Sequence, residues 1–440
     1  MKKIFFDLRL HVIVLLIVFL AELIGIIPFK FGIVSFSLFP MLYALIIGII
    51  ASKISLLKIT DEFVNLASDY VGYSVMILIA YMASSIGPNL EQVLSAGPAL
   101  VLQEFGNLGT LFLSVPIAVY IFKMDRTAIG STFSTSRETS IAVVGNLYGL
   151  DGPEGRGVMG SYITGTLLGT VFCAILSSIL MNISWFAPEA LAMASGTGSA
   201  SMMSAAIAPL IAEHSEKSDL LMSFASTSQV LTSATGIYMT LFIAIPLTEW
   251  LYGICSGEKH KKQDKIQQTS KTDATLTTNE SQNKSFNWGI KLKTWLYSSV
   301  FGIFAIYIAS NLHGEGASLV NIIVGMLWLL AIVLLGNLID FLALKLNINL
   351  PTILYIALVS SVMSIPAVWP GAIHMNTALS SISLLPLTTP ILAYAGISTG
   401  KELEAFKKQG LQIIVVTLFA LAGTYVGSAV IANIIWKLMN

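Results

Sequence analysis

Gly130–Asn146 reads GSTFSTSRETSIAVVGN. Small polar residues crowd its first half, and the apolar run Ile141–Val144 follows. Arg137–Glu138 sits between them, in a chain of which only 11% is charged. An Arg at membrane depth costs at least about 2.5–3.5 kcal/mol to insert, and it pairs or faces water when it does so. Serine and threonine hydroxyls compete for backbone groups and glycine adds chain entropy, so the segment is a weak helix former. Unwound backbone survives at that depth only where protein buries it or where it lines a watery cavity. The fold therefore turns on whether this stretch lies among membrane spans.

The surrounding chain says that it does. Of 440 residues, 55% are hydrophobic, and the mean hydropathy is +0.80. Soluble domains carry about a quarter of their residues as charges. Apolar runs of about 18–25 residues recur, which gives an all-α polytopic membrane protein of about 12–13 membrane segments. A β-barrel would alternate apolar and polar residues instead. The first run, near 11–29, reads as an uncleaved span. Zero net charge gives no case for nucleic acid. Cys173 and Cys255 do not form a disulfide framework. His11, His214, His260, His313 and His374 are scattered without metal-ligand spacing. No Walker A motif occurs. No cofactor is expected beyond a coupling Na+ or H+.

Between Ser256 and Trp288 the composition turns polar and rich in Lys, Gln, Thr and Ser. Residues 254–290 are therefore expected to be a disordered linker between an N-terminal membrane half, 1–253, and a C-terminal half, 291–440. Lys2, Lys3, Arg9, Lys53, Lys58, Lys123, Arg126, the linker lysines, Lys345, Lys401, Lys407 and Lys408 fall on one side of the counted spans. By the positive-inside rule the N-terminus and the linker are cytoplasmic. The same count leaves Lys30, Arg156 and Lys217 outside, with the C-terminus. The expected location is the bacterial cytoplasmic membrane, crossed many times.

An internal repeat accompanies this topology. At a constant offset of 313, Tyr81, Ser85, Gly87, Leu90, Glu91 and Gly97 match Tyr394, Ser398, Gly400, Leu403, Glu404 and Gly410. Each copy is the end of one span, a short link and a second span. The count puts the first link outside and the second inside. The charges agree, since only the second link carries lysines. Oppositely oriented repeats mark secondary transporters, whose sites lie near the midplane at broken helices.

Two segments resemble such broken helices: 129–148, and 190–212 with its core Ser195–Pro209, SGTGSASMMSAAIAP. By the span count both cross in the same direction, unless one is re-entrant. A small-residue packing face is an equal alternative for the second, and packing is the main reading of Gly165 and Gly169. Arg137, with Ser134, Thr135, Ser136 and Ser140, suits a carboxylate, which a guanidinium grips in bidentate fashion. Ser195, Thr197, Ser199 and Ser201 would face them. Thr388 and Thr389 precede Pro390, which frees backbone carbonyls. The alternative makes Arg137 and Glu138 solvated residues at the cytoplasmic mouth. Glu104, inside the run 98–122 with Gln103 and Asn107, is the ion-coupling candidate together with Glu138. Its alternative is a buried polar anchor. Asn337 and Asp340 read as an interfacial cap, Glu22 as a helix contact or a water-facing group, and Glu189, Glu213 and Glu249 as interface residues.

QEFGNLGT from Gln103, the Ser136–Glu138 tripeptide, YGLDGPEGRGVMG from Tyr148 and MASGTGSASMM from Met193 resemble an uncharacterised group of bacterial membrane proteins, a domain of unknown function. That likeness covers nearly all of the chain outside the linker. Three longer stretches are similar to the 2-keto-3-deoxygluconate permeases and the bile acid symporter-like elevator transporters. They are FSTSRETSIAVVGNLYGLDGPEGRGVMGSYITGTLLGTVF, ASGTGSASMMSAAIAPLIAE and TPILAYAGISTGKELEAFKKQGL. The resemblance implies two inverted repeats, crossed broken helices and an elevator motion of a core against a scaffold. It does not transfer a substrate. In this chain both crossing-like segments lie in the first half, which departs from the permease order. The expected activity is that of a secondary active transporter of a small organic anion, a carboxylate or sugar acid, coupled to sodium or protons by alternating access. Its partners would be that anion and the lipid bilayer, with a homodimer as one open assembly. An enzyme is not expected, because no Ser–His or Asp–Asp arrangement with a known spacing appears. A non-transporting scaffold or regulator is the alternative, and an intramembrane enzyme a more distant one.

Overall fold

The structure, a computed structural model, describes residues 2–31, 34–54, 57, 59–132, 140, 143–144, 147–149, 152–256, 288–312, 318–346, 351–399 and 410–439. Six helices among them are long and apolar enough to cross a membrane. A seventh arises if Gly371–Leu379 and Leu384–Ser398, bent by 68° at their junction, count as one span. The chain is an all-α polytopic membrane protein with, among the described residues, one short antiparallel β-hairpin.

In chain order, α1 (Lys2–Ile24), the hairpin β1 (Ile27–Phe31) and β2 (Val34–Leu38), α2 (Pro40–Lys53) and α3 (Asp61–Ser84) come first. Thr60 caps α3 by accepting from the Phe63 N–H, and Asp61 and Glu62 lie in its first turn, where the helix dipole favours them. After α4 (Leu90–Ser95), one span is assembled from α5 (Gly97–Leu102), a 3-10 stretch (Gln103–Leu108), α6 (Gly109–Pro116) and a π turn (Ile117–Ile121). Then come α7 (Thr127–Ser131), and α8 (Pro153–Thr164) joined through a π turn to α9 (Thr170–Met181). The pair α10 (Pro188–Ser195) and α11 (Ala200–Glu213) follows. Next, α12 (Ser218–Met239) joins α13 (Ile245–Ser256) through a third π turn. The C-terminal half holds α14 (Trp288–Leu312), α15 (Leu319–Lys345), α16 (Thr352–Met363), α17 (Gly371–Leu379), α18 (Leu384–Ser398) and α19 (Leu411–Met439). Residues 257–287 of the expected linker lie outside the described residues; its flanks, to Ser256 and from Trp288, are helical.

Side-chain pairs fix the path through the membrane. The first face is the one on which α1 begins. There Arg126 bonds Glu154 and, at 2.6 Å, Glu249; the Tyr148 hydroxyl donates to Glu249 at 2.8 Å. Three well-separated parts of the chain, Arg126, Tyr148 with Glu154, and Glu249, thus meet at one face. Both described flanks of 129–148 therefore lie at that face, and residues 133–139 between them are outside the described residues. The inward reach of the first flank is marked by the Thr132 carbonyl, which accepts from Thr110 Oγ1 at 3.0 Å, halfway along the α5–α6 span. On the second face, Lys217 Nζ lies 3.0 Å from Glu189 Oε1. That pair ties the start of α10 to the end of α11, so these helices form a hairpin whose deep end is Gly196–Ser199.

The α10–α11 segment is therefore re-entrant from the second face, and the described flanks of 129–148 share the first. This corrects the span count, which ran them as parallel crossings. Hydropathy registers that a segment enters the membrane, not that it turns back. With Arg126 and Glu154 on one face, the α8–α9 span reverses the counted direction, and Arg156 moves to the first face beside Lys123 and Arg126. Asn182, at the end of α9, then shares the second face with Glu213 and His214, all three lining one surface cavity.

The repeat is visible in how its second spans meet. The α5–α6 span and α19 run antiparallel. Gln412 at the start of α19 reaches the Phe122 carbonyl, and Ser428 Oγ donates to the Gln103 carbonyl at 3.1 Å. A Cβ on Gly109 would lie 2.6 Å from the Gly423 carbonyl oxygen, and one on Gly423 equally close to that of Gly109. The offset of 313 maps Thr110 onto Gly423, so the helices cross at corresponding points, as a two-fold relation between inverted copies requires. In the second link, Gly400, Leu403 and Glu404 lie outside the described residues.

Candidate functional site

Glu104 lies on the 3-10 stretch that interrupts the α5–α6 span. Such tightened turns inside a helix often mark functional positions. Its side chain is buried, at 6% exposure. Oε1 accepts from Gln103 Nε2 at 2.9 Å and from Thr232 Oγ1 at 2.6 Å; Oε2 accepts from Asn107 Nδ2 at 3.1 Å. Gln103 Nε2 also donates to Ser228 Oγ at 2.7 Å, and Ser428 of α19 braces Asn107. Ser228 and Thr232 are four residues apart on α12, hence on one face of that helix. No Lys, Arg or His pairs with Glu104 among the described residues. A carboxylate at this depth with only neutral donors is one that a proton or a bound cation would neutralise.

The deep end of the α10–α11 hairpin adjoins the same face of α12. A Cβ on Gly196 would lie 2.5 Å from the Ala225 carbonyl oxygen and from Ser228 Cβ, so only glycine permits this approach. Ser195 and Thr197 donate to the Ala192 and Ala194 carbonyls at 2.6 and 2.7 Å. Ser199 caps α11, accepting from the Met202 N–H, and meets Ser201 Oγ at 3.1 Å. Gln229 Nε2 donates to the Gly198 carbonyl at 3.1 Å. Neighbours on α12 thus join the two breaks: Ser228 holds the 3-10 stretch and Gln229 the hairpin. The side-chain carbonyl oxygens of Gln103 and Gln229 are buried without a hydrogen-bond donor among the described residues. Ser195 and Thr197 also line a small cavity with Met202, Thr424 and Tyr425.

Of the anion site expected around Arg137, Ser134, Thr135, Ser136, Arg137 and Glu138 lie outside the described residues. Ser140 is fully buried, and its hydroxyl has no partner among those described. Gln103, Glu104 and Asn107 come together as expected. Thr388 and Thr389 do not join them. Thr389 Oγ1 lies 2.7 Å from Glu22 Oε1 and Thr388 Oγ1 lies 3.2 Å from the Met41 sulfur, tying α18 to α1 and α2. Asp340 accepts from Thr352 at 2.8 Å and Asn337 donates to its own helix at Val333, so both are anchors. Burial opposes the charge on Arg126, but the bonds and charges of Glu249 and Glu154 outweigh it and hold the guanidinium above its usual range. Sequence reasoning missed Ser228, Gln229, Thr232 and Ser428. For the first three the signal was Ser223–Gly236, SFASTSQVLTSATG, a span with polar residues one turn apart.

No curated protein and no solved structure matches the chain. The permease likeness therefore has no match behind it. One family model, described as a protein of unknown function (DUF3100), matches residues 19–254, more than half of the chain and a range that holds both broken segments, Glu104 and α12. The chain belongs to the DUF3100 family of proteins of unknown function.

Proposed function

We propose that this protein is a secondary active transporter that moves a small organic anion by alternating access, driven by a proton or sodium gradient. The observation that carries the reading is Glu104, a carboxylate at membrane depth held by neutral donors where a broken span meets a re-entrant hairpin. Intramembrane carboxylates without a structural counter-ion mark ion and proton pathways. A scaffold has no use for one. In this reading the stretch 129–148 and the α10–α11 hairpin dip from opposite faces and supply a gate for each side of such a site. Arg126 with Glu154 and Glu249 closes the base of one, and Lys217 with Glu189 the base of the other.

In this reading the anion's carboxylate is held by Arg137 with Ser134, Thr135, Ser136 and Ser140. The hydroxyls of Ser195, Thr197, Ser199 and Ser201 approach from the opposite hairpin. Glu104, with Gln103 and Asn107, carries the coupling cation or proton, and Glu138 is the second coupling candidate. Charge balance then couples the two cargoes, since a core with Glu104 ionised or Arg137 unpaired resists passage through the bilayer. An elevator movement of the hairpin-bearing helices against the others is the proposed motion. The bacterial cytoplasmic membrane, with the lysine-rich first face inside, is the proposed setting.

Uptake of labelled carboxylates and sugar acids into proteoliposomes, with and without a sodium or proton gradient, tests this. The expected result is gradient-driven flux that Arg137→Ala abolishes, and that Glu104→Gln converts into exchange indifferent to the gradient. Flux of no anion, or flux that neither substitution changes in folded protein, would reject the assignment.

A further inference from the structure

The small cavity at the deep end of the α10–α11 hairpin measures about 10 Å³, room for one atom-sized guest. Ser195 and Thr197 of the hairpin line it together with Thr424 and Tyr425 of α19. All four side chains are buried. A hydroxyl has one proton and a backbone carbonyl only accepts, so a hydroxyl bonded to a carbonyl has spent its proton there. Ser195 Oγ donates to the Ala192 carbonyl at 2.6 Å and Thr197 Oγ1 to the Ala194 carbonyl at 2.7 Å. Thr424 Oγ1 donates to the Ala420 carbonyl at 3.0 Å. The Leu191 carbonyl takes the Tyr425 proton at 3.2 Å, and Ser177 Oγ lies 3.1 Å from the same phenol oxygen. What these four side chains have left to offer a guest is oxygen lone pairs. Cys173 adds only a weakly donating thiol and Met202 a thioether. Helix α10 ends at Ser195, which sets the negative end of its dipole at the cavity. Among the described residues, no Lys, Arg, Asp or Glu lines it.

We infer that this cavity binds a dehydrated monovalent alkali cation, held by the hydroxyl oxygens of Ser195, Thr197, Thr424 and Tyr425. Oxygen ligands suit a hard cation, and the C-terminal end of a half-helix at an unwound turn is where membrane transporters hold one. An anion would meet lone pairs there. A divalent ion would keep most of its charge uncompensated, because no carboxylate lines the cavity. Gly196, between the two hairpin ligands, abuts Ser228, which accepts from Gln103 beside Glu104. The cavity and Glu104 are thus coupled through one face of α12. The inference rests on these oxygens rather than on transport. Within the proposed transport it supplies a coupling ion and assigns Ser195 and Thr197 to that ion, leaving Ser199 and Ser201 to the anion.

Thermal unfolding of the purified full chain in detergent tests the site, in N-methylglucamine chloride with sodium or potassium chloride exchanged in at constant ionic strength. A cation that binds only the folded protein raises its melting temperature with a saturable dose dependence. Thr424→Val keeps the shape, removes one oxygen and is expected to weaken the cation about tenfold, with Ser195→Ala acting in the same direction. Glu104→Gln is expected to leave the cation's affinity within about twofold, which separates this site from a cation held by Glu104 itself. Melting in N-methylglucamine alone reports folding, and Thr197→Val replaces whichever hydroxyl variant fails to fold. No effect of either alkali cation, or an effect that Glu104→Gln abolishes and the hydroxyl substitutions leave intact, overturns the inference. Cation binding without anion flux in proteoliposomes would reject transport and leave this site assigned. Proton-driven anion flux without alkali-cation binding would do the reverse.

Discussion

Glu104 has its bonds but not its charge balanced, and the two requirements respond to different substitutions. Thr232 Oγ1 makes the shortest of its bonds, at 2.6 Å. Thr232→Val keeps the shape and removes one donor from a buried acidic group. It is expected to lower stability in detergent by about 1.5–3 kcal/mol, the range for hydrogen bonds to charged groups. Thr232→Ser should restore most of that loss, and thermal unfolding of the two variants side by side is the measurement. Glu104, Gln103 and Asn107 were legible in the sequence because a carboxylate and amides stand out in an apolar span. Their partners were not. Hydroxyls are common in membrane helices and usually bond their own backbone, as Thr227 does at Ser223 and Thr248 at Ala244. Residue type alone cannot separate those from Ser228 and Thr232, which reach across to another helix. The Arg137 group is a different case, since its residues lie outside those the structure describes.

At the scale of elements, glycines set where the two second spans of the repeat touch. Gly109 on α6 and Gly423 on α19 each stand where a Cβ would meet the other's backbone oxygen at 2.6 Å. Backbone cannot yield as a side-chain tip can, so Gly109→Ala is expected to destabilise by about 1–3 kcal/mol or more, the cost of overpacking. Gly72 is the control. It lies within α3, and a Cβ there has nothing within 4 Å. Gly72→Ala is expected to stabilise by about 0.5–1 kcal/mol by removing chain entropy from the unfolded state. Opposite signs for the two glycine-to-alanine changes, read from thermal melts, would locate the close contact; equal effects would refute it. The sequence showed the repeat through Tyr81 and Tyr394 but not this crossing, because Gly423-Thr-Tyr-Val-Gly427 and Gly106-Asn-Leu-Gly109 look like any small-residue pair. The packing reading of Gly165 and Gly169 has a contact behind it: Gly169 stands against the Met202 side chain at the start of α11.

For the whole molecule, the direction of each span follows from which chain positions share a face. Apolar runs gave the membrane class, and the repeat gave two copies of opposite sense. Neither distinguishes a segment that crosses from one that returns, because hydropathy depends on depth and is blind to direction. The ion pairs make that distinction. Arg126 with Glu154 ties the two flanks of 129–148 to the first face, and Lys217 with Glu189 ties the ends of the α10–α11 hairpin to the second. The two arrangements differ most plainly at Arg156. If 129–148 crossed, Arg156 would share a face with His214; with that segment returning, Arg156 shares a face with Asp125. Single cysteines decide between them in a chain whose native Cys173 and Cys255 are replaced by alanine. Asp125→Cys, Arg156→Cys, Asn182→Cys and His214→Cys would be probed in sealed vesicles with a thiol reagent that does not cross the bilayer. Asp125→Cys and Arg156→Cys are expected to react from one side, and Asn182→Cys and His214→Cys from the other. Reaction of Arg156→Cys together with His214→Cys would restore the crossing arrangement. It would also remove the opposed hairpins on which a two-gated transport site depends.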